Sequence, residues 1–220
     1  RAMRAEVRTQ SRMTGIETAQ GRVTALHTAE GAIPLDAEDH VIVATPAPVT
    51  RGLLENHLHG LVTPTAFESI LNLHFRLDTP PQPVGSFARC GFMGVVGGIA
   101  EWVFLRGSVL SVTVSAANRH AERDPEELAR AIWREVRRAC DPTLAIPLPA
   151  VPVEQRIVWE KRATFAATPE QNRLRPGPAT PLANLALAGD WTNTGLPATL
   201  EGAMRSGILA VYALGLRTPG

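Results

Sequence analysis

Long apolar runs are missing from these 220 residues. No stretch approaches the ~20 consecutive apolar residues that span a bilayer, which excludes a transmembrane helix within them, and the first residues carry no signal-peptide pattern. Cysteine is scarce: Cys90 and Cys140 are too few for a disulfide framework or a cysteine-based metal site, and they make a reducing, cytoplasmic-side location the default expectation. Neither charge is in excess. With 22 basic against 21 acidic residues, a net charge of +1 and no basic run interleaved with aromatics, no nucleic-acid partner is expected. The six histidines, at 27, 40, 57, 59, 74 and 120, form no metalloenzyme motif. His57 and His59 would present two imidazoles on one side only from an extended chain, whereas their segment reads as helix, so no metal is expected. The nucleophile elbow G-x-S-x-G is absent, which removes one serine-hydrolase reading. So is the dinucleotide fingerprint G-x-G-x-x-G: Gly91, Gly94, Gly97 and Gly98 come nearest, at the wrong spacing and with no helical pattern after them. There is no internal repeat.

What remains is an ordinary globular composition, 45% apolar and 20% charged, long enough for one large domain or two small ones. Residues 5 to 45 read as short β segments punctuated by Gly15, Gly21 and Gly31, ending in a buried strand at His40–Thr45 that Pro46 stops. Pro48 to Leu61 reads as a helix with Val49, Leu53, Leu54 and Leu58 on one stripe. From Glu68 to Asp78 the alternation is strict. Leu71, Leu73, Phe75 and Leu77 share one face; Ile70, Asn72, His74 and Arg76 share the other. Phe92 to Val114 holds two or three further strands with a hairpin at Gly107-Ser108, the features of a second, substrate-facing sheet. Asp124-Pro125-Glu126-Glu127 opens a helix that closes near Asp141-Pro142. Val153 to Trp159 reads as a strand, and Thr168 to Pro181 as a polar, proline-rich loop.

The most informative stretch follows. Leu185-Ala186-Leu187-Ala188 is a continuous apolar run, as in a strand covered on both faces. Gly189 permits a sharp turn, Asp190 offers a carboxylate at the strand's carboxyl end, and a helix runs from about Ala198 to Leu214. The first N–H groups of that helix form an anion- or dipole-binding end. From the residues alone, Asp190 reads equally as a simple turn or capping residue, and Glu201 as a carboxylate placed favourably in a first helical turn.

The composite run Ala188-Gly189-Asp190-Trp191-Thr192, Thr194-Gly195-Leu196-Pro197-Ala198-Thr199 and Glu201-Gly202-Ala203, with Glu160 to Pro169 upstream, resembles the flavin amine oxidase and phytoene desaturase superfamily. It most resembles the branch of squalene-associated FAD-dependent desaturases that includes the hydroxysqualene dehydroxylases. The resemblance is loose at first and tight from Arg156 to Gly207. It implies a mixed α/β fold, the C-terminal part of a two-domain FAD-dependent enzyme, with residues 1–55 and 183–220 in the FAD domain and 56–182 in the substrate domain. The chain begins at Arg1 and lacks the pyrophosphate-binding glycine turn. It therefore reads as a fragment or processed product whose N-terminal FAD-binding segment comes from the same or another chain.

By that resemblance the backbone around Met13 would meet the adenine, although an ordinary meander with Met13 as core filler fits the residues as well. Gly189, Asp190, Gly195, Thr199 and Leu200 would contact FAD, with the N–H of Leu200 facing the flavin N1–C2=O edge and Asp190 accepting from the ribityl or pyrophosphate side. Asn72 stands where amine oxidases carry a lysine near flavin N5, which argues against amine oxidation. His74 is a candidate acid because imidazole titrates near neutrality. Arg162, in a charged triplet that equally suits a solvated face, could only hydrogen-bond or hold charge. Asn72 and His74 would otherwise face solvent or a neighbouring loop. The implied activity is FAD-dependent reductive dehydroxylation of hydroxysqualene to squalene in hopanoid biosynthesis, on a long apolar isoprenoid. The alternatives are a carotenoid- or phytoene-type desaturase, a flavin amine oxidase, or a non-catalytic partner subunit or remnant. A cytoplasmic location is expected, with peripheral contact at the inner membrane left open.

Overall fold

Glycine punctuation builds the first sheet. Strands β1 (Met13–Ala19), β2 (Arg22–Thr28) and β3 (Gly31–Pro34) form an antiparallel meander in that order. Gln20 and Gly21 both take positive φ, 52° and 73°, the mirror-image two-residue turn whose twist matches the flanking strands. The computed structural model describes residues 5–216 and divides into two compact units. The first runs through Ala66 and resumes at Phe165; the second is Phe67–Thr164. Residues 1–4 and 217–220, the outer ends of the segments expected to form the FAD domain, lie outside the described residues.

In the first unit, β4 (Val41–Val43) is followed by α1 (Ala47–Leu54). The helix expected as far as Leu61 stops at Leu54, where the chain passes into turns ending at Gly60, φ 85°. Asn56, His57 and His59 are poor helix formers, and Leu58 is still buried from a turn, so the apolar stripe outlasts the helix.

The second unit is a sheet with a helix on one face. Its strands are β5 (Phe67–Arg76), β6 (Phe92–Gly94), β7 (Trp102–Arg106), β8 (Val109–Val114) and β9 (Glu154–Phe165), in the order β6-β7-β8-β5-β9. A short helix, α2 (Gly85–Cys90), precedes β6, and α3 (Pro125–Cys140) precedes β9. The alternation on β5 is realised as expected: Leu71, Leu73 and Phe75 are fully buried against Leu128, Ile132 and Trp133 of α3. The Phe75 and Trp133 rings lie 4.8 Å apart, and Trp133 Nε1 donates to the Ala150 carbonyl at 3.1 Å. Each such apolar side chain contributes roughly 1.5–3 kcal/mol by leaving water. Asp124 caps α3 by accepting from Glu127 N at 2.8 Å. Strand β9 outruns the expected Val153–Trp159 because its second half is the charged triplet Glu160-Lys161-Arg162, exposed on an edge strand, where polarity hides the strand pattern.

Back in the first unit, α4 (Pro169–Arg173) interrupts what reads as loop. Thr168-Pro169-Glu170-Gln171 is a capping signature: the Thr168 side chain accepts from Gln171 N, with proline in the first turn. Strand β10 (Leu185–Leu187) is wholly buried and pairs parallel to β4, and α5 (Leu200–Ala213) completes the described chain. Asn184 fastens these pieces. Its fully buried amide accepts from Val23 N at 2.8 Å and donates to the carbonyls of Val23 and Asp39 at 3.0 and 3.2 Å.

Candidate functional site

The turn after β10 is built so that the backbone is the working surface. Gly189 has φ 139°, and a Cβ placed there would lie 2.5 Å from Trp191 Nε1, so both conformation and space demand glycine. Its N–H donates to Ser206 Oγ of α5 at 2.7 Å, and Trp191 Nε1 donates to the Thr45 carbonyl at the end of β4 at 3.0 Å. Gly202 packs under the loop, since a Cβ there would meet the Pro197 carbonyl at 2.7 Å. Gly195 differs: it has φ 75° with nothing within 4 Å of the Cβ position, a turn glycine facing open space. Thr199 is the cap of α5. Its hydroxyl accepts from Gly202 N at 3.1 Å, and its carbonyl accepts from Ala203 N at 2.9 Å. The N–H groups of Leu200 and Glu201 therefore have no acceptor among the described residues, and the Leu200 side chain is exposed.

Asp190 is half-buried. Burial pushes its carboxyl above the ordinary value, partly offset by the N–H groups of Trp191 and of Asp190 itself and by the charge of Arg175. Arg175 is the residue that reading by pattern missed, because a lone arginine between loop residues carries no periodic signal. It is buried, with its guanidinium 4.9 Å from the centre of the Phe165 ring. Its Nη2 donates to the carbonyls of Asp190 and Thr192 and to Thr194 Oγ1, and Nη1 donates to Asn172 Oδ1 at 3.2 Å. A cavity of about 550 Å3 lies alongside, lined by Phe165, Thr168, Asn172, Arg175, Gly195 and Pro197 among others. Met13, at the start of β1 opposite Thr28, belongs to the same unit and is half-buried.

The other predicted residues belong to the second unit. Asn72 and His74 lie on the β5 face turned away from α3, in two cross-strand rows. One row runs Phe92, Phe104, Ser111, His74; the next runs Gly94, Trp102, Thr113, Asn72. His74 Nδ1 and Ser111 Oγ share a hydrogen bond of 2.8 Å, and Thr113 Oγ1 donates to Asn72 Oδ1 at 2.9 Å. The same face therefore carries an aromatic half, with Phe92 ring centres 6.1 Å from Trp102 and 5.8 Å from Phe104, and a polar half. Arg162 lies exposed on β9, the strand next to β5, and alternation puts it on the face opposite Ile157 and Trp159, which pack on the core. Its backbone N–H donates to Glu160 Oε1 at 3.2 Å.

Parallel β4 and β10, a glycine-acid turn at their carboxyl end and a following helix that offers free N–H groups define a class: an α/β scaffold with its ligand site at the carboxyl ends of parallel strands. Solved structures share the fold. An oxidoreductase from Methanosarcina mazei superposes with a TM-score of 0.60 at 13% identity, covering 91% of this chain and 48% of that one. A flavoprotein/dehydrogenase from Cytophaga hutchinsonii does so with 0.51 at 16% identity, covering 96% and 50%. The chain belongs to the flavin-containing amine oxidoreductase family, whose model matches residues 1–214. Within it, the hydroxysqualene dehydroxylase of Sinorhizobium fredii is 47% identical over 175 residues, and that of Rhodopseudomonas palustris is 43% identical over 175 residues. The 15-cis-phytoene desaturase of Synechococcus elongatus is 30% identical over 151 residues. The chain spans 38% of the length of the first two relatives, and the matched stretch is 80% of this chain.

The residues present fit the ring end of a flavin. The space beside Gly195 is open, the Leu200 and Glu201 N–H groups are free for an oxygen or ring nitrogen, and the neighbouring cavity mixes apolar walls with Asn172 and Arg175. The glycine turn that seats a pyrophosphate, G-x-G-x-x-G, does not occur in the sequence.

Proposed function

We propose that this chain is part of an FAD-dependent oxidoreductase that removes the hydroxyl of hydroxysqualene to give squalene. The observation that carries the reading is the Gly189–Leu200 turn, with free helix N–H groups beside an open glycine, in a chain 47% identical to a hydroxysqualene dehydroxylase. Residues up to about 55 and from about 183 serve the FAD domain, and those between serve the substrate domain. The segment that seats the pyrophosphate is supplied from outside these 220 residues. When bound and reduced, FAD would supply the hydride that replaces the hydroxyl at carbon, and the hydroxyl oxygen would leave as water with a proton delivered by the protein.

The chain's own residues bind and orient. Asp190 and the N–H of Leu200 hold the cofactor, with Gly189, Gly195 and Thr199 shaping the backbone around it and Met13 on the adenine side. On the second unit's sheet, Phe92, Trp102 and Phe104 suit an apolar isoprenoid chain, and the His74–Ser111 and Asn72–Thr113 pairs suit its hydroxyl. His74 is the group able to deliver a proton there, and Arg162 holds charge. An isoprenoid of this size partitions into lipid, so the reading includes peripheral contact with the inner membrane from the cytoplasmic side. Among the described residues no helix is long and apolar enough to cross a membrane. The charge-free stretch 142–153, with Ile146, Val151 and Val153 exposed, suits such contact.

The test is the full-length protein with hydroxysqualene and a reductant, analysed for product mass. Flavin absorption and loss of one oxygen support the reading; a colourless protein, or no squalene, overturns it. Added double bonds would instead favour the desaturase reading, to which the 30% identity to a phytoene desaturase lends weight.

A further inference from the structure

Arg175 is a charge withdrawn from water. Its guanidinium is buried, and burial pulls its affinity for the proton below the ordinary arginine range, against the pull of Asp190. Its Nε has no hydrogen-bond partner among the described residues. A buried charge of this sort is weak evidence of net stabilisation, since its desolvation offsets what its hydrogen bonds return. What the charge does accomplish is local. One guanidinium nitrogen gathers the carbonyls of Asp190 and Thr192 and the hydroxyl of Thr194, three points spread over five residues of the turn. The other reaches back to Asn172 of α4, and Phe165 covers the guanidinium face. With those acceptors drawn inward, the Thr192 and Thr194 N–H groups also turn inward, to the carbonyls of Gly189 and Thr192 at 3.1 and 2.9 Å. Thr194 Oγ1 in turn accepts from Leu196 N at 3.3 Å, which carries the order one step past Gly195 towards α5.

We infer that Arg175 is the positioning residue of the cofactor-facing turn: it fixes Asp190 to Leu196 in the conformation that a flavin meets. The inference rests on the flavin reading above. Two guanidinium nitrogens are used, Nη2 for the turn and Nη1 for Asn172, with Phe165 on the flat face; a lysine ammonium can stand in for Nη2 but cannot also reach Asn172 or offer a planar face to the ring.

The experiment compares the full-length protein with Arg175→Met, Arg175→Lys and Thr194→Val in two measurements: FAD affinity by flavin fluorescence, and hydrogen exchange of the cofactor-free protein. Arg175→Met is expected to weaken FAD binding about tenfold or more, as the loss of a multiply bonded charged group implies. It should also speed exchange at the amides of Thr192, Thr194 and Leu196 while leaving those of β5 and β8 protected. Arg175→Lys and Thr194→Val should fall between it and the wild type in both measurements. Affinity within threefold of wild type in a folded Arg175→Met, or unchanged turn exchange, overturns the inference. If Arg175→Met does not fold, the two milder variants decide: wild-type affinity and exchange in both overturns it. A wild-type protein that binds no FAD overturns the flavin reading instead, and the exchange measurement still judges the clamp.

Discussion

The indole Nε1–H of Trp191 donates to the backbone carbonyl of Thr45 at 3.0 Å, joining the end of β4 to a turn 146 residues later in the chain. The indole occupies the space a side chain on Gly189 would need, so the two residues form one device: the glycine admits the ring, and the ring locks the turn to the parallel strands. Gly189→Ala should therefore be destabilised by about 1–3 kcal/mol from the positive φ alone, with more from the clash. Trp191→Phe keeps most of the packing and loses the hydrogen bond, about 1 kcal/mol. Urea unfolding of both variants checks the order. An alanine variant as stable as the phenylalanine one would mean that the turn relaxes freely.

Asp190 offers a pH test. Its carboxyl lies above its ordinary value of 3.8 because it is buried, so the folded protein holds this proton more tightly than the unfolded chain does. The favourable linkage is thus present at low pH and is lost as pH rises through the unfolded and then the folded value; at neutral pH the ionised group costs stability. Asp190→Asn removes that cost while its side-chain oxygen can still accept from Trp191 N. The variant is expected to melt higher than wild type at pH 7, with the difference shrinking as pH falls below the carboxylate range, and to bind FAD more weakly. A lower melting temperature at pH 7 would show that the carboxylate is structural.

The legible parts of this fold were those with a period or a punctuation mark. The alternation of Leu71, Leu73, Phe75 and Leu77, the Asp124-Pro125 helix start and the buried run Leu185–Ala188 all fold as their patterns require. The short helix Pro169–Arg173 carries its own capping signature in Thr168-Pro169-Glu170-Gln171, but the proline-rich sequence around it has the composition of a loop. The turn glycines were visible, whereas their distinct roles were not. Gly202 yields to a carbonyl and Gly189 to an indole, contacts made across the chain. Arg175 was out of reach for the same reason: its partners are backbone carbonyls, which have no sequence signature, and only the fold brings them together.

The two cysteines separate cleanly by environment. Cys140 is fully buried with its Sγ 3.6 Å from Met93 Sδ, and burial together with Asp141 pushes its thiol up to about 12. Cys90 is exposed at the end of α2. A thiol reagent at pH 8 should titrate Cys90 at once and reach Cys140 only in denaturant. Rapid labelling of Cys140 in the native protein would mean that α3 opens from the sheet.

The charge-free stretch 142–153 is where the proposed membrane contact can be tested. It exposes 64% of Ile146, 73% of Val151 and 54% of Val153 in a chain that is 20% charged overall. Pro147, Pro149 and Pro152 remove three backbone donors that lipid would leave unsatisfied. Such a surface costs little to insert into a bilayer interface, and each apolar side chain that enters adds to the binding free energy in proportion to its buried area. Replacing Ile146, Val151 and Val153 together by glutamine should lower partitioning of the full-length protein onto phosphatidylcholine–phosphatidylglycerol vesicles by about tenfold or more. Turnover of a detergent-dispersed substrate should stay the same, because the three residues are exposed and support no core. Equal vesicle binding by wild type and variant would overturn this stretch as a lipid-contacting surface. Loss of turnover in detergent would place the stretch in substrate binding instead.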